Sequence, residues 1–166
     1  MDEYRGVLVF IEQNDGEIHP ISFELISKAR EIADKKGYEV YGVLLGYQMR
    51  EKAKELIYFG ADKVFLYDHP SLKELDVINY KVNVVSLIEE EKPEVVLMGA
   101  TPLGRSLAPR IAAALKTGLT ADCIDLKLDE CGDLIQVRPA FTGNLIAHIK
   151  TMTRPVMATV LSLIHI

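Results

Sequence analysis

Short apolar runs alternate with longer segments of helical periodicity over the first two-thirds of this chain. Most of these segments end near a glycine or a proline, residues that interrupt regular structure. A chain that repeats strand and helix in this way joins neighbouring strands through right-handed crossover helices. The alternation therefore predicts a three-layer α/β fold, with helices on both faces of a mostly parallel sheet. The predicted strands are residues 6–12, 39–45, 61–67 and 95–98, and the predicted helices are residues 20–36, 50–59, 76–91 and 106–115.

The spacing of apolar residues predicts which face of each helix is turned towards the sheet. Residues three or four positions apart lie on one side of a helix, so an apolar stripe at this spacing is expected to be buried. The stripes are Ile21, Leu25, Ala29 and Ile32 in the first helix, Ala53, Leu56 and Ile57 in the second, and Ile78, Val82, Val85 and Ile88 in the third.

The pattern changes after Gly118. Residues 121–128, 134–138 and 145–151 form three apolar runs that are too close together for crossover helices. Such spacing is typical of hairpins, so we expect antiparallel strands added at the C-terminal edge of the sheet. A last apolar run covers residues 156–160.

Charge and cysteine content exclude several classes of protein. A chain of 166 residues is the size of one domain, and its net charge of −5 argues against nucleic acid or an anionic membrane as the main partner. No stretch approaches the roughly 18 apolar residues that cross a bilayer, so we expect no membrane insertion. Cys123 and Cys131 form no Cys-x-x-Cys pair and have no histidine nearby, which predicts reduced thiols of a cytoplasmic protein and no metal site.

Residues 99–104 form a loop between a predicted strand and a predicted helix, with Pro109 expected in the first turn of that helix. We expect the loop to present free N–H groups and the positive end of a helix dipole, where open α/β sheets bind ligands and partners. The spacing of the two loop glycines matches a phosphate-binding P-loop, but Arg105 stands where that motif needs lysine. Because arginine does not replace this lysine, we reject a nucleotide hydrolase. A tight turn without ligand and a loop facing a partner or cofactor both remain open.

No catalytic group of residues can be assigned from the sequence. The four histidines are scattered, and none is placed with a serine, a cysteine or a carboxylate as nucleophilic catalysis requires. We therefore predict no catalytic residue and no metal ligand set. A protein without enzymatic activity is favoured over a free-standing hydrolase.

Seven short motifs occur in order and together resemble one family. The chain is similar to the N-terminal domain of the electron transfer flavoprotein alpha subunit over about residues 6–160. This resemblance implies a Rossmann-like fold of the adenine nucleotide alpha hydrolase-like type for a domain at 1–160, and a truncated or foreign tail at 161–166. The motifs are Val-Leu-Val-Phe-Ile-Glu at 7–12, Gly-Ala-Asp-Lys-Val at 60–64, Lys-Pro-Glu-Val-Val-Leu-Met-Gly-Ala-Thr at 92–101, Gly-Arg-Ser-Leu-Ala-Pro-Arg at 104–110, Thr-Gly-Leu-Thr-Ala-Asp-Cys at 117–123, Arg-Pro-Ala-Phe-Thr-Gly-Asn at 138–144 and Thr-Arg-Pro-Val-Met-Ala-Thr at 153–159.

The resemblance also implies a function. Members of this family carry electrons from flavin dehydrogenases, such as the acyl-CoA dehydrogenases of fatty acid β-oxidation, to a downstream acceptor. They act as heterodimers of an alpha and a beta subunit. FAD is held mainly by a C-terminal alpha domain that is missing from this sequence, so we expect no cofactor on this chain alone and a framework that docks the beta subunit.

Two sets of residues are candidates for these roles. Residues in and after the loop at 99–104 are expected to face the partner subunit, against the alternative of a solvated helix surface; they are Thr101, Arg105, Arg110 and Asp122. The turn at 138–144 is a weaker candidate for approach to a flavin, against the alternative of a structural turn with an interface or core phenylalanine; its residues are Arg138, Phe141 and Asn144.

A nucleotide-binding module of the universal-stress-protein type is the alternative of the same general architecture. Proteins of that type carry a Gly-x-x-Gly element followed, about nine residues later, by Gly-Ser or Gly-Thr. Here Gly99 and Gly104 have a different spacing, and the next glycine is Gly118. The pattern therefore favours the electron transfer flavoprotein interpretation.

Overall fold

The computed structural model describes residues 3–162. Within them lie eleven strands, four α-helices and a short 3-10 helix at Pro70–Leu72. None of these helices combines the length and the apolar character needed to cross a bilayer. The strands are β1 (Val7–Ile11), β2 (Gln13–Asn14), β3 (Glu17–Ile18), β4 (Val40–Gly46), β5 (Lys63–Asp68), β6 (Val95–Gly99), β7 (Leu119–Cys123), β8 (Asp125–Leu128), β9 (Leu134–Ala140), β10 (Leu145–Lys150) and β11 (Val156–Val160). The helices are α1 (Pro20–Lys36), α2 (Arg50–Tyr58), α3 (Val77–Glu91) and α4 (Pro102–Leu115).

Six strands form one parallel sheet in the order β5-β4-β1-β6-β11-β7. β1, β6 and β11 are buried along their whole length, as strands covered on both faces must be. Side chains from α1 and α2 form the core on one face of the sheet, and side chains from α3 and α4 form the core on the other. The predicted three-layer α/β fold is confirmed.

The other long strands, β8, β9 and β10, form a separate antiparallel sheet. Antiparallel strands were predicted here, but they do not extend the edge of the parallel sheet as expected. The predicted run 121–128 divides because Asp122 adopts a left-handed backbone conformation, with φ 56°. Beyond it, Ile124 N–H donates to Val137 O of β9 at 2.8 Å, whereas β7 pairs with β11. β11 is itself inserted in parallel between β6 and β7.

A buried amide joins the two sheets. Gln136 of β9 is fully buried, and its side-chain oxygen accepts hydrogen bonds from the hydroxyls of Thr120 at 3.2 Å and Thr151 at 2.8 Å. Its amide nitrogen donates to Leu134 O at 2.7 Å. Because a buried polar group is costly unless it is hydrogen-bonded, these contacts fix the antiparallel sheet against β7.

The helix faces agree with the predicted stripes in α1 and differ in α2 and α3. All four stripe residues of α1 are buried. Ile57 of α2 is 45% exposed, and Ile78 and Val82 of α3 are 61% and 57% exposed, so these three positions were predicted wrongly. α3 packs against α4 as well as the sheet, which selects a different arc of the helix. Its buried residues are Tyr80, Val84, Leu87 and Ile88.

A cluster of ion pairs connects four elements of the chain near the amino-terminal ends of the strands of the parallel sheet. Lys36 Nζ at the end of α1 lies 3.1 Å from a carboxylate oxygen of Glu94 and donates to Gly132 O at 2.6 Å. Arg154, just before β11, lies 3.9 Å from Glu94 and 3.6 Å from Asp133. The Lys36 and Glu94 side chains are only 15% and 12% exposed, so each depends on its partner for compensation of charge.

Replacing Lys36 by methionine is expected to lower the free energy of unfolding by about 2–3 kcal/mol, because Glu94 would keep a largely buried charge without its closest cation. The measurement is urea denaturation at neutral pH. Lys35→Met is the matched control, because Lys35 is exposed and forms no ion pair within residues 3–162. We expect the control to change stability by less than about 0.5 kcal/mol. Equal losses in the two variants would contradict the role of the ion pair.

Candidate functional site

The carboxyl ends of β1, β6 and β11 meet the amino termini of α1 and α4. Because α1 and α4 lie on opposite faces of the sheet, a crevice opens between them, where α/β sheets of this kind bind ligands. The crevice has a volume of about 370 Å³. It is lined by His19, Pro20, Ile21, Glu24, Ala100, Thr101, Val160 and Ser162.

Thr101 is the central polar residue of this crevice. It caps α4, because its Oγ1 accepts the Gly104 N–H at 3.1 Å, and its hydroxyl donates to Glu12 Oε1 at 2.9 Å. Glu12 follows β1, and its N–H donates to the hydroxyl of Ser22 in α1 at 2.9 Å. Its second carboxylate oxygen is buried without a hydrogen-bond partner among the described residues. Glu12 was missed as a site residue, although a carboxylate directly after a buried strand was a visible signal.

The two loop glycines are required by the packing of the chain itself. A Cβ on Gly99 would lie 2.8 Å from the side chain of Ile21, and a Cβ on Gly104 would overlap the carbonyl oxygen of Gly99. Ala100 N–H donates to Val160 O at 2.8 Å, and Gly104 N–H is taken by the Thr101 cap. The expectation that these N–H groups are free is therefore wrong at both positions.

The helix after the loop begins earlier than predicted. α4 starts at Pro102, with Thr101 as its cap, and not at Ser106. Pro102 occupies the first turn, where its missing N–H costs no hydrogen bond, whereas Pro109 lies inside the helix and not in its first turn. Pro109 was predicted in the first turn, but the cap formed by Thr101 places Pro102 there.

The structure brings together three of the four predicted partner-facing residues. Arg105, in the first turn of α4, reaches Asp122 with its Nε 3.3 Å from one carboxylate oxygen. Asp122 N–H donates to Thr159 Oγ1 at 2.9 Å, so its left-handed conformation is fixed by β11. Thr101 lies one turn before Arg105, while Arg110 folds back on its own helix and donates to Ser106 O at 2.6 Å.

The other three candidates lie on the antiparallel sheet. Arg138 donates to Pro139 O at 3.3 Å. Phe141 is 97% exposed with φ 54°, and Asn144 is exposed in the same turn.

Burial raises the pKa of Cys123 to about 12, with the positive charge of Arg138 acting in the opposite direction. The Cys123 thiol is therefore protonated at neutral pH and is not a nucleophile.

An exposed apolar surface surrounds this turn, and sequence analysis missed most of it. Leu145 and Ile146 are 60% and 58% exposed, although neighbouring residues of a strand face opposite sides. The end of the β9–β10 hairpin therefore projects into solvent. We call this the hairpin surface; it consists of Phe141, Leu145 and Ile146. Met152, which is 83% exposed, lies beyond the opposite end of β10.

A comparison with protein families assigns this arrangement. A family model described as the electron transfer flavoprotein domain matches residues 7–164, which include every strand of both sheets. The chain belongs to the electron transfer flavoprotein family. The resemblance of the seven motifs is thereby confirmed, and the nucleotide-binding alternative of the universal-stress-protein type is not favoured. The last two residues of the predicted tail, 165–166, lie beyond the matched range, and residues 163–166 are outside the described residues.

Relatives in the electron transfer flavoprotein family support the alpha-subunit type. The chain is 48% identical over 96% of its length to the electron transfer flavoprotein subunit alpha of Thermoanaerobacterium thermosaccharolyticum, and covers 49% of that protein. It is 51% identical over 95% of its length to lactate dehydrogenase (NAD(+),ferredoxin) subunit LctC of Acetobacterium woodii, covering 38% of it. It is 42% identical over 96% of its length to acryloyl-CoA reductase electron transfer subunit beta of Anaerotignum propionicum, covering 50% of it. The chain thus spans half the length of these relatives or less.

Gly104→Ala tests the packing of the loop. We expect it to lower the free energy of unfolding by about 1–3 kcal/mol, because the atom that the new methyl group would meet belongs to the backbone and cannot rotate away. The control is Gly118→Ala, whose Cβ would lie 3.4 Å from Thr151 Cγ2, an ordinary contact. Denaturant midpoints of the two variants should differ clearly, and a neutral Gly104→Ala would show that the loop has room for a bound group.

Proposed function

We propose that this chain is the N-terminal domain of an alpha subunit that carries electrons from a flavin dehydrogenase to a downstream acceptor as a heterodimer with a beta subunit. The family match and the relatives named as alpha subunits support this proposal. Relatives named as subunits of a lactate dehydrogenase and of an acryloyl-CoA reductase support dehydrogenases as redox partners, and acyl-CoA dehydrogenases fit the same class. The two unpaired cysteines are typical of the cytoplasm.

The hairpin surface is the observation that carries the docking role. It gathers three large apolar side chains at the end of the β9–β10 hairpin, on a sheet that Gln136 joins to β7. An apolar patch on a rigid element is what a protein interface requires. The Arg105–Asp122 pair and Thr101 form a polar second candidate at the carboxyl end of the parallel sheet, and Arg110 extends it along α4. In this proposal the chain acts as a framework and not as an enzyme.

The crevice does not fit FAD, so we propose that FAD is held mainly by residues outside this chain. A dinucleotide brings two phosphates, which need cations or free N–H groups. The charged lining residue of the crevice is Glu24, an acid. The space beside the loop glycines is occupied by the side chain of Ile21 and by the backbone of the loop. Arg138, Phe141 and Asn144 stay candidates for a peripheral contact with a flavin that the partner or a further domain positions.

Replacing Phe141 and Ile146 by serine is expected to weaken binding of the electron transfer flavoprotein beta subunit by about 100-fold, because centrally placed apolar anchors carry most of the energy of an interface. Affinity is measured by calorimetry with purified subunits. The matched control replaces Ile78 and Val82 of α3 by serine, since these are also exposed apolar residues and lie on another part of the surface. If both double variants lose the same affinity, the hairpin surface is not the interface.

Purified by itself, the chain is expected to show no flavin absorbance after incubation with excess FAD and gel filtration. The physical reason is the acidic, self-filled crevice described above. An alpha subunit that extends this chain to the full length of its relatives, assembled with the beta subunit, serves as the positive control. Stoichiometric yellow flavin on the chain alone would contradict the proposal.

A further inference from the structure

β5 is an edge strand with the composition of an interior strand. It forms one edge of the parallel sheet, and within residues 3–162 no strand is hydrogen-bonded to its outer side. Its four central residues, 64–67, are apolar or aromatic and half-buried, whereas β1 and β6 are fully buried. Edge strands are usually protected by charges, proline, bulges or a covering segment. β5 has charged residues only at its two ends, Lys63 and Asp68.

The backbone groups that face the open side can be assigned. His69 N–H donates to Gly46 O of β4 at 3.0 Å. In a parallel pair, every second residue directs both its N–H and its C=O to the same neighbour. Phe65 and Tyr67 therefore face β4, and Val64 and Leu66 present their N–H and C=O groups at the open edge.

A groove runs along this edge. Val64 and Leu66 also form its floor, because their side chains lie on the face covered by α2, and Ala53 and Ile57 of α2 form its wall. The groove has a volume of about 320 Å³. The remaining lining residues, Arg50 and Lys54, are both cations.

The two cations are differently engaged. Lys54 Nζ forms an exposed ion pair with Glu51 at 3.0 Å. The guanidinium of Arg50, in contrast, has no hydrogen bond or ion pair within the described part of the chain. An exposed pair such as Lys54–Glu51 contributes little and exchanges readily. The rim of the groove is thus available to a negatively charged ligand.

We propose that the β5 edge accepts an extended segment of another protein as an additional strand, and that the side chains of this segment on the α2 face are apolar in its middle and acidic at its ends. Its backbone pairs with the open N–H and C=O groups of Val64 and Leu66. Its apolar side chains extend the core between β5 and α2, and its carboxylates meet Arg50 and Lys54. This is strand addition at a sheet edge, in which the backbone supplies affinity and the groove selects the side chains.

Charge distinguishes this occupant from a second copy of the chain. Two β5 strands related by a two-fold axis would place both α2 helices on one face beside the new seam. The cations Arg50 and Lys54 of both copies would then line the same seam, and like charges oppose association. The site is also distinct from the hairpin surface, because β5 and β7 are opposite edges of the sheet and β9 packs beside β7. A partner bound at the hairpin surface would therefore lie at the opposite side of the parallel sheet from the β5 edge.

The test uses the peptide acetyl-Glu-Thr-Ile-Thr-Val-Thr-Glu-amide, in which the apolar and acidic residues share one face of the strand, and amide hydrogen exchange of the whole chain, followed by nuclear magnetic resonance. At saturating peptide, exchange of the Val64 and Leu66 amides is expected to slow by at least about tenfold. The amides of Phe65 and Tyr67, already bonded to β4, should not change. No protection at Val64 and Leu66 would overturn the proposal.

Charge variants test the choice of occupant. Arg50→Glu combined with Lys54→Glu is expected to weaken peptide affinity by about tenfold. Lys35→Glu combined with Lys127→Glu is the control; it makes the same change in net charge at two exposed lysines elsewhere and should leave the affinity unchanged. Equal weakening in both variants would contradict a local charge contact. Protection of Val64 and Leu66 that rises with protein concentration, without peptide, would assign the edge to a second copy and overturn the proposal.

Discussion

A parallel strand must be covered on both faces, and this requirement determines most of the molecule. Parallel strands are joined by crossover helices, which lie over the faces of the sheet and leave the two edges and the carboxyl ends of the strands to be dealt with separately. Here α1 and α2 cover one face and α3 and α4 the other. The crevice, the appended antiparallel sheet and the open edge at β5 are the three places that the helices leave uncovered.

The two edges of the sheet are treated differently. Beside β7 the chain builds a second sheet, joined to the first by the buried amide of Gln136 and by the cluster around Lys36 and Glu94. Both contacts involve groups that are costly to bury unpaired, so they fix the orientation of the hairpin as well as its position. The exposed apolar end of the hairpin is therefore held in a defined orientation relative to the parallel sheet. Within residues 3–162, β5 has no comparable cover.

The crevice at the carboxyl ends has the location of a ligand site and the packing of a structural joint. Thr101 connects the start of α4 to Glu12 after β1. Arg105 connects the same turn of α4 to Asp122 in β7. Side chains and backbone of this chain occupy the space around Gly99 and Gly104 that a phosphate would need. This packing is the structural argument for the framework role proposed above for this member of the electron transfer flavoprotein family.

Local signals in the sequence were sufficient for the elements and the layers. α1 was predicted with its observed bounds, because Pro20 and Gly37 mark its ends and four apolar residues repeat at helical spacing. Competing signals gave errors: Pro109 was taken for the proline of the first turn, and Ile78 and Val82 were taken for core residues because their spacing suits a buried stripe. Periodicity identifies an apolar arc, but the neighbouring helix decides which arc is covered.

The sequence by itself determined the alternation of strands and helices, the α/β class and the family, since these follow from short-range periodicity, turn residues and motifs. Only the tertiary structure decided that β11 lies between β6 and β7 and that the chain leaves the parallel sheet after Asp122. It also decided that other residues of this chain pack against the loop glycines. Each of these depends on hydrogen bonds and close contacts between residues far apart in sequence. No local pattern specifies such pairings, because they are selected by the packing of the whole domain.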